Sequence, residues 1–190
     1  MRNTTVITAA LLLAGLTAGC SNGSDKPTVS KATDTPSATA TKPTPSPSPS
    51  PSKETLRLGD TVNVNAGGYD FSAAAFAYKD KGVTSPPGML QAGLKLALVE
   101  VKVCNKDDEP VTVSPFVWSL AYEDGARMEP FHMSAPELPQ PVYPMDAKVR
   151  GGDCVRGNVF FEVPDGFGRA ERVLYSPQDL DEPVEWLVGK

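Results

Sequence analysis

From about residue 61 onward, apolar and polar positions alternate with a period of two, as in strands with one buried face. The window 94–105 shows this well: Ala97, Val99, Val101 and Val103 share one parity, and Glu100, Lys102 and Cys104 share the other. In 154–163, Val155, Gly157, Val159, Phe161 and Val163 oppose Cys154, Arg156, Asn158 and Glu162, while Phe160 intrudes on the polar side. Residues 116–122 put Phe116, Trp118, Leu120 and Tyr122 on one face. Asp124-Gly125 then signals a hairpin into a strand at 127–129. Further strands are predicted at 61–65, 69–78, 172–175 and 184–188, although the alanines of 69–78 also suit a helix. Prolines and glycines fill the gaps, and there is no long helical stripe. Seven or eight short strands at this spacing predict an all-β, antiparallel sandwich over residues 54–190.

The N-terminal part is patterned differently. Arg2 precedes an apolar run from Val6 to Leu16, interrupted only by Thr8 and too short to span a bilayer. It ends in Leu16-Thr17-Ala18-Gly19-Cys20, which resembles the lipobox of bacterial lipoproteins. The resemblance implies a signal peptide at 1–19, cleavage before Cys20, and a diacylglycerol on Cys20 holding the chain to the outer face of the cell membrane. Two acyl chains suffice for stable anchoring, whereas one is marginal. The alternative is an ordinary secretory signal with an incidental cysteine.

Between anchor and domain, 21 of the 33 residues 21–53 are Ser, Thr or Pro and none is aromatic. That composition offers too little apolar surface to offset ordering entropy, so 20–53 is expected to be a disordered spacer. Fully extended it would reach on the order of 100 Å. Residues 54–190 carry 13 Lys and Arg against 21 Asp and Glu, a net charge of −8. An acidic domain disfavours nucleic acid and flat docking on anionic lipid.

With Cys20 committed to lipid, Cys104 and Cys154 remain. An even remainder outside the cytoplasm predicts one disulfide, closing 50 residues and worth roughly 4 kcal/mol in the chain-entropy model. Both cysteines lie on the polar parity of their strands. The bridge is therefore expected to join neighbouring strands of one sheet on its outer surface, and not to pin two sheets through the core. Two free thiols or a metal pair are the alternatives.

Two segments carry a family resemblance. Val99-Glu100-Val101-Lys102-Val103-Cys104-Asn105 is followed by Asp108-Glu109-Pro110-Val111-Thr112-Val113-Ser114, a strand, an Asn, an acidic turn and a second strand. Asp124-Gly125 and Gly151-Gly152-Asp153-Cys154, leading into 155–164, match later parts. The chain resembles the telokin-like, immunoglobulin-like domain of bacterial cell-surface lipoproteins, and is similar to a secreted mycobacterial immunoprotective protein. The resemblance covers about residues 56–190. It implies an immunoglobulin-like sandwich and brings no catalytic motif.

Candidate chemistry is sparse. His132 is the only histidine, which excludes a His₂Cys copper centre. Met128, His132, Met133 and Met145 offer soft donors for Cu(I), as an alternative to thioethers that only pack. No Gly-x-Ser-x-Gly elbow occurs within residues 54–190, and Asp153 after Gly151-Gly152 would repel a phosphate. No catalytic residue and no cofactor is expected. The segment 130–148 holds Phe131, His132, Met133, Tyr143 and Met145 among five prolines. It is the candidate contact loop for an envelope or extracellular protein, or else a cap over a sheet edge. The sequence thus points to a non-catalytic, tethered binding module of the cell envelope. Small-ligand or copper binding is the alternative, and a hydrolase is a weaker one.

Overall fold

A computed structural model describes residues 27–32, 55–131 and 135–189. Cys20, the signal segment, most of the expected spacer, His132 and Met133 lie outside them. Twelve strands are formed among the described residues: β1 (Thr28–Lys31), β2 (Leu56–Arg57), β3 (Thr61–Ala66), β4 (Tyr69–Lys79), β5 (Leu94–Asn105), β6 (Val111–Val113), β7 (Trp118–Ala121), β8 (Arg127–Met128), β9 (Ala147–Val149), β10 (Cys154–Pro164), β11 (Arg172–Tyr175) and β12 (Val184–Leu187). One sheet has the order β1-β3-β4-β5-β10 and the other β2-β12-β11-β7-β8, with β6 and β9 as a separate ribbon. The pairing is antiparallel except between β2 and β12. The fold is the expected immunoglobulin-like sandwich. The strand count of seven or eight is corrected to twelve. The four strands beyond those eight, β1, β2, β6 and β9, have two to four residues each, and of them only β6 was marked, as the second strand of the family signature.

The core lies between the two large sheets. Val64, Val99, Val101 and Phe161 face Trp118, Leu120, Val173 and Trp186, each no more than 1% exposed. Trp118 stacks on Tyr175 at 4.4 Å and lies 5.7 Å from Trp186, whose Nε1 donates to the Asp60 carbonyl at 2.9 Å. The alanines of β4 serve the strand. Phe71, Ala73 and Ala75 point inward, and a bulge between Ala75 and Ala77 then moves the inward parity to Tyr78. Phe76, the extra residue, stays off the core and packs under the Arg156 guanidinium at 4.6 Å.

Phe116 does not share the face of Trp118. Ser114 caps a one-turn 3-10 helix, Pro115–Val117, and the strand begins only at Trp118. Phe116 is left 52% exposed. Phe160, which breaks the alternation in β10, is buried with Leu96, Leu98 and Leu138 in a second apolar cluster. There the outer face of the first sheet is covered by loops carrying Met89, Leu90, Phe131 and Val142. An apolar residue on the polar parity therefore marks where the sheet is buried on both sides.

The spacer expectation is also revised. Thr28–Lys31 pairs antiparallel with β3, from Thr28 opposite Asn65 to Lys31 opposite Val62. The Ala32 amide donates to the Thr61 carbonyl at 2.9 Å, and Lys31 pairs with Asp60 at 3.1 Å. β-Branched Thr28 and Val29 suit a strand, and the free edge of β3 supplies backbone partners that an isolated spacer lacks.

Candidate binding site

A cavity of about 380 Å³ opens at the end of the sandwich where the β3–β4 hairpin turns. That volume sits near the lower end of the range for ligand pockets, roughly 300–1,000 Å³. Its walls include Ala66, Phe71, Val103, Val111 and Val113, with the rings of Tyr143 and Tyr175. The exposed residues Tyr69, Thr112, Gln178 and Asp179 border it. The hairpin turn is Gly67-Gly68, with φ of 61° and 82°. A Cβ on Gly67 would collide with the Asp179 carboxyl, so glycine lets the 177–179 segment close down on the turn.

Tyr143 reaches the cavity because its segment is laid along the edge of β10. The Tyr143 amide donates to the Asn158 carbonyl at 3.0 Å, and the Asn158 amide to the Pro141 carbonyl at 2.8 Å. The Asn158 side chain donates to the Pro139 carbonyl at 3.0 Å. Gly157 makes this crossing possible, since a Cβ there would lie 2.6 Å from the Tyr143 amide nitrogen. Tyr143 is 1% exposed. Burial pushes its phenol well above the ordinary value, and Tyr175 nearby adds to the shift. The Trp118 indole opposes it slightly, yet neither Trp118 Nε1 nor Tyr143 Oη has a partner with hydrogen-bonding geometry. Tyr175 is likewise pushed up by burial. Both phenols stay protonated at neutral pH and are therefore donors. No Lys, Arg or His lines the cavity among the described residues, and Asp179 is the only charged group there. The arrangement can surround an apolar body, but it cannot neutralise an anion.

The predicted contact loop divides. Tyr143 is buried, which corrects its place in a contact surface, because its ring fills the junction between β10 and the core. Phe131 is half-buried against the second cluster, and its amide donates to the Phe160 carbonyl at 2.7 Å. Met145 is 47% exposed. The segment thus caps the β10 edge, and Met145 alone of the named residues within the description is open to solvent. Met128 packs against the core, and no group of three or more His, Cys, Asp or Glu gathers among the described residues.

Cys104 and Cys154 are bonded and sit directly opposite each other on β5 and β10, on the outer face, with Cα atoms 4.0 Å apart. Next to them, Asn105 is buried and binds on every side. Its Nδ2 donates to the Glu109 and Val149 carbonyls at 2.7 and 3.1 Å, and its Oδ1 accepts from the Asp107 amide at 2.9 Å. This fixes the acidic turn that leads into β6, and so one wall of the cavity. The cavity itself was not foreseen, because residues from 66 to 179 build it and no local motif encodes it.

The fold has relatives among solved structures. A secreted protein of Mycobacterium tuberculosis, MPT63, is similar at a TM-score of 0.56 and 15% identity, over 73% of this chain and 99% of that one. The yjhA protein of Bacillus subtilis is similar at a TM-score of 0.49 and 12% identity, over 71% of this chain and 100% of that one. The ycdA protein of the same species gives a TM-score of 0.44 and 18% identity, over 64% of this chain and 37% of that one. No curated protein matches the chain. Residues 56–182 match the domain of unknown function DUF4352, and the chain belongs to that family.

Proposed function

We propose that this protein is a non-catalytic binding module of the cell envelope, exported and held by lipid on Cys20, with the hairpin-end cavity as its binding site. The observation that carries the reading is the cavity itself, a space of about 380 Å³ with apolar walls and a polar, exposed rim. The export half draws on the apolar run ending at Cys20 and on a disulfide that persists only in an oxidising compartment. The description of MPT63 as secreted agrees with it.

A second reading, contact with an envelope protein, draws on Tyr69, Phe116 and Met145, which are all exposed. Tyr69 borders the cavity, Phe116 lies between lining residues Ser114 and Val117, and Met145 precedes a strand paired with Val113. The same end of the molecule would then meet the partner.

Globomycin treatment of producing cells tests the address, with an unprocessed precursor as the expected result and normal processing as the contrary one. Titration with the neutral dye Nile red tests the site. Saturable binding that Ala66→Leu reduces at least tenfold is expected. Dye uptake indifferent to Ala66→Leu would rule the cavity out.

A further inference from the structure

We propose that the hairpin-end cavity takes a neutral amphiphile from the membrane, because β1 holds this end of the domain against the bilayer. The inference rests on the lipid anchor at Cys20.

The first support is the register of β1. Thr28 stands opposite Asn65, next to cavity residue Ala66 and the Gly67-Gly68 turn, while Lys31 stands opposite Val62, further from the turn. The chain therefore enters the sheet at the cavity end. Only residues 21–26 separate Cys20 from Pro27. Covalent geometry limits that stretch to about 25 Å. The proline-rich run at 43–51 lies on the other side of β1, between Ala32 and β2, so it adds nothing to the reach. What reads as a long tether becomes a short leash, and it leaves the domain beside the cavity.

The second support is the chemistry of the walls. Valines, an alanine and aromatic residues surround a space in which the only charge among the described residues is the Asp179 carboxylate. An anionic ligand would lose its hydration and meet a like charge, whereas a neutral one would not. A molecule of this kind partitions into lipid, and the leash places the cavity where such molecules are most concentrated.

The test uses the full lipidated protein, incorporated into phosphatidylcholine vesicles that contain a membrane-bound energy-transfer acceptor. A fluorophore is attached through p-azidophenylalanine at Tyr69, beside the cavity, or at Lys81, beyond the far end of β4. Ten residues of β4 separate the two ends, or roughly 30 Å. Strong transfer from position 69 and weak transfer from 81 is expected. In Val29→Pro/Lys31→Pro, which unpairs β1, that difference should disappear. Failure to co-float with vesicles would overturn the anchor at Cys20 and this inference with it. Co-flotation with equal transfer from both positions would overturn the leash alone.

Ligand class is read with 1-monooctanoylglycerol against octanoate at pH 8. The glyceride should bind at least tenfold more tightly, and Ala66→Leu or Val113→Phe should weaken it at least tenfold. Equal binding of octanoate would overturn the neutral class. Monooctanoylglycerol transfer from vesicles should slow in the leash variant while affinity in solution is kept. Unchanged transfer would mean that the ligand arrives from water, which contradicts the membrane source.

Discussion

The two ends of the β5–β10 ladder are built to different purposes. Away from the hairpin, Leu96, Leu98 and Phe160 are covered by Leu138 and its neighbours, and the loop that brings them is bonded along β10 through Asn158, Phe131 and Tyr143. At the hairpin end the same sheet carries a disulfide and the Asn105 network, yet leaves an open cavity. One end maximises burial. The other spends rigidity on holding a space open. Local departures from complete packing are expected where a protein binds something, since a filled and satisfied site has nothing to offer.

Several changes would break or sharpen that contrast. The largest is loss of the disulfide. Cys104→Ala/Cys154→Ala should cost about 4 kcal/mol by the chain-entropy argument for a 50-residue separation, read as a fall in the urea midpoint. It should also loosen the cavity end, with faster amide exchange at Asn105 and Gly152, whose amide donates to the Asn105 carbonyl.

Gly157→Ala attacks the covered end. Its Cβ would meet the Tyr143 backbone at 2.6 Å, lifting the segment and straining its two backbone bonds to Asn158. A loss of about 3 kcal/mol is expected, from overpacking plus about 1 kcal/mol for each bond. Wild-type stability in this variant would show that the crossing is not needed.

The buried phenols set an alkaline limit. Tyr143 and Tyr175 have folded-state pKa values raised above the ordinary phenol value of 10.0, with burial as the first cause. A raised folded value means that the native state keeps a proton which the unfolded chain releases. Stability is therefore whole below pH 10 and falls above it, by about 1.4 kcal/mol per pH unit for each such tyrosine. Tyrosinate absorbance should rise together with unfolding. Smooth titration of every tyrosine in folded protein would contradict this.

Leu138→Ala is milder, because the second cluster is small and partly open to loops. A cost of about 2 kcal/mol is expected by thermal melt, with the cavity end unchanged.

Much of the fold was legible in the sequence. All eight predicted strands are present: β4, β5 and β10 carry the two-residue period over eleven or twelve residues, and the two-residue β8 was marked by the Asp124-Gly125 turn. The disulfide followed from the even number of cysteines left after Cys20, and its outer-face position from parity, since side chains on a strand can face only two ways. Phe116 was misplaced because Ser114-Pro115 starts a 3-10 turn whose rotation a strand pattern does not anticipate. β1 was missed because its stability comes from the edge of β3, a partner some thirty residues away that composition does not reveal. The role of Tyr143 was inverted for a related reason. An aromatic among prolines looks like a contact residue, but Gly157 opens a path that takes it into the core.

Val113→Phe tests the central claim most directly, because Val113 lines the cavity and a larger side chain there fills it. If the cavity is the site, the variant should keep a cooperative urea transition while 1-monooctanoylglycerol binds at least tenfold more weakly. A folded variant that binds the glyceride as well as the parent would contradict the account, and the cavity would lose its claim to be the site.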